Sequence, residues 1–304
     1  MERPRSLTYT TFKVGRLTCH ALEGGLQHLD GGAMFGIVPK VLWARRAPPD
    51  DRNRIPLALR CLLIEHDDGL VLIDTGIGNK ENSKFIDIYG VDNAGRDGRT
   101  KLEDALRELG HTPDDIRWVI NTHLHFDHAG GDMYRPAVKD GGGSGGDGEA
   151  ELRLSFPRAK YVVQKRELDF AQNTNERTAG SYLPHNFQGV PFQLIDGDAL
   201  ILPGIRGLPT PGHVPYHQSM LIESGGEKAC FVADVVPTAA HLPLPWIMGY
   251  DLQPLVTLET RRHLYQRAEA EQWLLVFEHD PQVVAGRLAH EGKGFGLVEQ
   301  KVLG

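Results

Sequence analysis

Apolar and polar positions alternate in blocks that mark out strands, turns and helices. In "RCLLIEHDDGLVLIDTG" two apolar runs flank Asp67, Asp68 and Gly69, which predicts a strand–turn–strand hairpin. "TKLEDALRELG" carries Leu102, Ala105, Leu106 and Leu109 at helical spacing, with Gly110 placed to end the helix. "IRWVINT" reads as a buried strand, and "AKYVVQKRELDFAQ" as a strand followed by a helix. From Gly189 to Val236 short strands follow one another, with turns at Gly197-Asp198 and Gly225-Gly226. "TLETRRHLYQRAEAEQWLLVFEH" predicts a charged amphipathic helix, then a strand. Its basic stretch "RRHLYQR", on a helix that also carries Glu259, Glu269 and Glu271, reads as a solvated face. Strands precede helices in both halves, which predicts an α/β arrangement of two βα-type halves packed face to face.

"KDGGGSGGDGEAE", 139–151, interrupts this pattern with a glycine-rich run that cannot bury a core. It lacks the GKS or GKT ending of a phosphate loop and reads as a mobile insertion within one domain spanning 1–304. The apolar fraction of 40% supports a sizeable core. A net charge of −7, from 33 basic and 40 acidic residues, argues against a nucleic-acid partner. No apolar run approaches the length of a membrane span, and the N-terminal stretch lacks the apolar stretch of a secretory signal. Cys19, Cys61 and Cys230 are odd in number and far apart, as expected of free thiols in a reducing cytoplasm.

The densest chemistry is "NTHLHFDHAGG", Asn121 to Gly131. In an extended chain alternate side chains share a side, so His123, His125 and Asp127 are expected on one and Leu124 and Phe126 on the other. Two imidazoles at i and i+2 suit one metal, and the Asp127-His128 pair suits a second. These shells are incomplete, so further ligands must come from downstream. His213 in "TPGHVPYH", Asp234 ending "ACFVAD" and His279 ending "WLLVFEH" are the candidates, each at a predicted strand C-terminus.

HLHFDH, then PGH, then a strand-terminal Asp, then a strand-terminal His resembles the ligand order of the metallo-β-lactamase superfamily. "LIDTG", Leu72 to Gly76, looks like an early signature of that superfamily, and the resemblance covers nearly the whole chain. It implies an αββα sandwich of two mixed β-sheets with helices outside. It also implies two divalent metal ions, zinc first, with manganese, iron or cobalt also suited to such ligands. By that resemblance His123, His125 and His213 hold one metal, Asp127, His128 and His279 the other, and Asp234 bridges them. Asp74 is then the carboxylate that orients a ligand histidine. "LDGGAMFGIVPKVLW", "PGHVPYHQSMLIE", "ADVVPTAAH" and "EGKGF" narrow the likeness to the branch of quorum-quenching lactonases and methyl parathion hydrolase, and within it to lactonases with a GGAMFG loop.

The activity so implied is hydrolysis of a lactone or ester by hydroxide generated between two metals, with Asp127 and Asp234 in catalytic roles. One departure stands out: the lactonases place a tyrosine three residues after the bridging Asp, where this chain has Pro237. A phosphotriesterase or arylesterase would use the same site. A mononuclear iron persulfide dioxygenase and a non-catalytic binding protein are the remaining readings. His217 reads as either a support for a ligand or a turn cap. "GGAMFG" and "PLPWIMGY" read either as core turns or as pocket walls, the latter placing Met34, Phe35, Trp246 and Met248 against substrate, with His241 near the Asp234 strand end. The expected partner is a small-molecule lactone or ester, without nucleic acid or membrane, and a homodimer is left open.

Overall fold

The computed structural model describes residues 8–136, 151–292 and 294–302. The first sheet takes β1 (Tyr9–Val14), β2 (Leu17–Asp30), β3 (Arg54–Glu65), β4 (Leu70–Ile73) and β5 (Ile116–Ile120). A two-stranded ribbon follows, β6 (Met133–Tyr134) with β7 (Arg153–Leu154). The first sheet is completed by β8 (Lys160–Gln164) and β9 (Phe192–Ile195). The second sheet is built from β10 (Ala199–Leu202), β11 (Ile205–Pro209), β12 (Gln218–Ser224), β13 (Glu227–Phe231), β14 (Leu274–Val276), β15 (Val283–Glu291) and β16 (Gly294–Val302). The Gly197-Asp198 turn is thus where the chain leaves one sheet for the other. The glycine-rich stretch 139–151 lies outside the described residues apart from Glu151.

Both sheets are mixed. The pairs β4–β5, β5–β8, β8–β9 and β13–β14 are parallel, and the other pairs are antiparallel. The near-continuous apolar run in β3 explains the layering, because period-2 alternation buries both faces. Leu62 and Ile64 face inward, where they meet Met220, Ile222, Phe231 and Val276 of the other sheet. Cys61 and Leu63 face outward, under Leu102, Ala105 and Leu106 of the helix Lys101–Glu108. That helix opens on a capping box between Thr100 and Glu103, which satisfies two otherwise unpaired backbone groups.

The helix Pro254–Ala270 covers the second sheet with Leu264, Tyr265 and Ala268. Here the expectation of a solvated basic face needs correction. Arg261 is fully buried and donates from Nε to the Val235 carbonyl (2.6 Å) and from Nη1 to those of His241 (3.1 Å) and Trp246 (2.7 Å). A guanidinium with five donors suits carbonyls left over where three loop segments converge.

Candidate functional site

Parallel strands deliver their C-terminal ends to one edge, and the predicted residues gather there. Asp74 follows β4, the HLHFDH segment follows β5, Asp234 follows β13 and His279 follows β14. His213 sits in the turn after β11, where Gly212 (φ 135°) is required, since a Cβ there would come within 2.4 Å of the Thr257 backbone nitrogen.

The motif is not a continuous strand. Phe126–Ala129 is a helical turn capped by His125, so Asp127 comes to the site from a first helical turn and not by strand alternation. The turn is set by backbone bonds from His128 and Ala129 to the His125 carbonyl. It lets Asp127 and His128, adjacent in sequence, both join the second donor set.

All seven predicted ligand residues come together. His123, His125, His213 and Asp234 form one set of donors and Asp127, His128 and His279 another, the atoms of each within 4.8 Å of one another. Asp234 stands between the sets. Its Oδ2 lies 3.0 Å from His213 Nε2 and 3.9 Å from His123 Nε2, and its Oδ1 lies 2.9 Å from His279 Nε2 and 3.5 Å from His128 Nε2. The residue before it, Ala233, adopts φ 45°, a strained conformation for a residue with a Cβ, of the kind found where a functional side chain must be aimed.

Outer partners fix which imidazole nitrogen faces inward. His128 Nδ1 is 3.0 Å from Asp74, whose carboxylate also accepts the Thr122 N–H (2.8 Å) and hydroxyl (2.7 Å). With its hydroxyl spent on Asp74, Thr122 accepts from His123 Nδ1 (3.1 Å). His213 Nδ1 donates to Asp251 (3.0 Å), and His279 Nδ1 donates to the Ala58 carbonyl (2.8 Å). Each of these four rings therefore turns its Nε2 lone pair to the centre, the arrangement a ligating imidazole needs. His123 Nε2 is buried without a hydrogen-bond partner, a cost that an inward-facing cation would remove.

The electrostatics agree. Burial and the neighbouring imidazoles hold His123 and His125 well below their ordinary pKa, so both are neutral at neutral pH, the form in which an imidazole can ligate. Burial opposes the charge on Asp234, but His213, His279 and His128 outweigh it and keep the carboxylate ionised. His128, His213 and His279 are held above their ordinary pKa despite burial, His128 by Glu278 and then Asp234 and the other two chiefly by Asp234. A pair of cations taking the place of their protons would thus find nitrogen donors around an anionic bridge.

Several contributors escaped the sequence. Gln27 of β2 donates to Asp127 Oδ2, and nothing in "GGLQHLD" marked it. Asp251 lies within "IMGYDLQ", whose only signal was a carboxylate between apolar residues. Glu278 Oε2 sits 3.0 Å from His128 Nδ1, beside Asp74, and burial pushes its carboxyl up to about 8. His217, read two ways, accepts the Asp234 backbone N–H at Nε2 (3.2 Å) and bonds Thr210 through Nδ1 (2.8 Å).

A cavity of about 270 Å³ opens onto the two sets, with Asp127, His125, His213, Asp234 and His279 at its floor. Met34 and Met248 line it, as do Leu29, Leu57, Phe126, Tyr89 and Tyr250. Phe35, His241 and Trp246 do not. Phe35 stacks on His241 at 4.4 Å between ring centroids and meets Trp246 edge-on at 5.7 Å. His241 is spent on Thr238 and the Met34 carbonyl, so the three form a layer behind the wall. A larger cavity, about 790 Å³, contains none of the candidate ligands.

Comparisons with known proteins agree with this geometry. The profile of the Metallo-beta-lactamase superfamily matches residues 55–286. The N-acyl homoserine lactonase of Bacillus thuringiensis is 29% identical over 234 residues, 74% of this chain and 82% of the relative. The crystal structure of a probable metal-dependent hydrolase from Staphylococcus aureus superposes with a TM-score of 0.82 at 30% identity, covering 96% of this chain and all of that one. AidC, a dizinc quorum-quenching lactonase solved with a hexanoyl-homoserine product, shares the fold (TM-score 0.75, 20% identity, 97% and 98% covered). With its profile match, its mixed double sheet and its two donor sets at one sheet edge, this chain belongs to the metallo-β-lactamase superfamily.

Proposed function

We propose that this chain is a dinuclear metallo-hydrolase that opens N-acyl homoserine lactones. The observation that carries the reading is Asp234, whose two oxygens face separate donor sets at the floor of an apolar cavity. Zinc is the proposed metal and the cytoplasm the proposed compartment. We infer a single working domain, because the inter-sheet core draws residues from both halves.

His123, His125 and His213 would hold one cation, Asp127, His128 and His279 the other, and Asp234 both. Two such cations supply Lewis acidity and activate water near neutral pH. The protein's part is to hold five imidazoles, four of them with tautomers fixed by outer partners, to exclude bulk water and to seat the acyl chain against Met34, Leu57 and Met248. Asp127, held by Gln27 and lining the cavity, is the proposed acid that returns a proton to the departing alcohol oxygen when the ring opens. Pro237 takes the position of the lactonase tyrosine, and its carbonyl accepts the His279 N–H (3.1 Å), so it supports a ligand and contributes no donor to the carbonyl.

The test is metal content measured alongside kinetics on an acyl-homoserine lactone, an aryl ester and a phosphotriester. The expected result is two metals per chain and the highest kcat/KM on the lactone. His123→Ala and Asp234→Ala should lose metal and turnover together. A higher kcat/KM on the phosphotriester or ester would replace the substrate, and full turnover in either variant would overturn the site.

A further inference from the structure

Glu167 belongs to none of the donor sets, yet it is fully buried beside them, on the helix Lys165–Gln172. Its Oε1 accepts two hydrogen bonds. One comes from the backbone N–H of Leu124 (3.0 Å), the residue between His123 and His125. The other comes from the hydroxyl of Tyr182 (2.8 Å), which is also buried. The Tyr182 ring meets His125 edge-on, 4.6 Å between centroids. Its neighbour Ser181 lines the cavity and accepts the Phe126 N–H at its carbonyl (2.9 Å). Glu167 Oε2 has no hydrogen-bond partner.

A carboxylate with one oxygen fully used and the other unpaired in a dry interior is costly. A carboxylate is not needed merely to pack this space. Leu124 cannot pair its N–H within a regular strand, because β5 ends at Ile120 and the helical turn starts only at Phe126. Glu167 supplies the missing acceptor at the peptide whose orientation sets the angle between the His123 and His125 side chains. Through Tyr182 it fixes the ring plane of His125 as well.

We propose that Glu167 is a positioning residue for the metal pair, acting through the Leu124 peptide and Tyr182 to hold His123 and His125 in ligating geometry. Through Tyr182 it also ties the adjoining cavity wall, Thr178, Gly180 and Ser181, to the metal-holding segment, so substrate wall and ligands form one unit. This rests on the reading of the His/Asp cluster as a metal centre.

The experiment uses the full chain, stripped and reloaded with cobalt(II), and compares wild type, Glu167→Ala, Glu167→Gln and Tyr182→Phe. Metal affinity is read by competition with a chromophoric chelator, and ligand geometry by the visible cobalt absorption. Glu167→Ala is expected to bind metal about 10- to 100-fold more weakly, with an altered cobalt spectrum. Glu167→Gln, which keeps an acceptor oxygen, should recover most of both. Tyr182→Phe should shift the spectrum with a smaller loss of affinity, and it decides the matter if Glu167→Ala does not fold. Wild-type affinity and spectrum in Tyr182→Phe, and in Glu167→Ala where it folds, would overturn the proposal while leaving the metal centre intact. A wild-type chain that takes up no metal would overturn both.

Discussion

His213 and Asp251 face each other at 3.0 Å, Nδ1 to Oδ1, while the opposite nitrogen of the same ring lies 3.0 Å from Asp234. The carboxylate is thus one end of a relay that aims His213 Nε2 at the centre. Asp251 also sits in the loop whose Met248, Tyr250 and Leu252 line the cavity. Asp251→Ala should therefore weaken metal binding by about 10- to 100-fold, as loss of an outer partner of a ligating imidazole generally does. Chelator competition on the purified variant checks this, and unchanged affinity would refute it.

Arg261 satisfies three carbonyls from segments that would otherwise end in a dry interior. Arg261→Met keeps much of the volume but strands those acceptors. The expected loss is about 3 kcal/mol or more, a fall in Tm on the order of 10 °C. Arg261→Lys should rescue only part of it, since one ammonium cannot reproduce a planar fork. Thermal unfolding by circular dichroism gives the answer.

His241 is buried with both nitrogens engaged, and burial together with the Arg261 charge pulls its pKa down to about 3. Its folded-state pKa is depressed, so below its ordinary value the unfolded chain binds a proton that the folded chain refuses. The neutral ring costs no stability near pH 7, and stability is lost as pH falls from about 6.5 toward about 3. At pH 5 this group alone should account for about 2 kcal/mol. Urea unfolding of wild type and His241→Gln at pH 7 and pH 5 isolates it: the variant should lose less stability on acidification.

Met34 and Met248 line the cavity and belong to neither donor set. Met248→Trp should leave metal content intact and raise KM for long-chain acyl lactones by about tenfold or more, with a smaller effect on short chains, because filling an apolar pocket discriminates by about 1–3 kcal/mol. Equal effects on all chain lengths would place the acyl chain elsewhere.

Much of this was legible in the chain. The hairpin at Asp67–Gly69, the capped helix after Thr100 and the strand into Asn121 all rest on local periodicity and turn chemistry, which neighbours in sequence supply. The seven clustered residues were legible because His and Asp at strand ends are costly unless something uses them, and their order is distinctive. The helical turn inside HLHFDH was not. Tight His/Asp spacing suits either a strand or a turn, and only bonds to the His125 carbonyl decide between them. The pocket assignments split for a similar reason. Met34 and Phe35 are adjacent, and helical geometry sends one into the cavity and the other into a stack with His241.

By itself the sequence determined the layered α/β pattern, the candidate donor set and the family, because these depend on residue type, order and local spacing. The tertiary structure alone decided which nitrogen of four of the imidazoles faces the centre and which acceptors hold them: Asp251, Asp74, Ala58 and Thr122. It also decided that Arg261 is interior. Those outcomes depend on groups far apart in the chain meeting at one sheet edge, where water is excluded and every buried donor must find its acceptor.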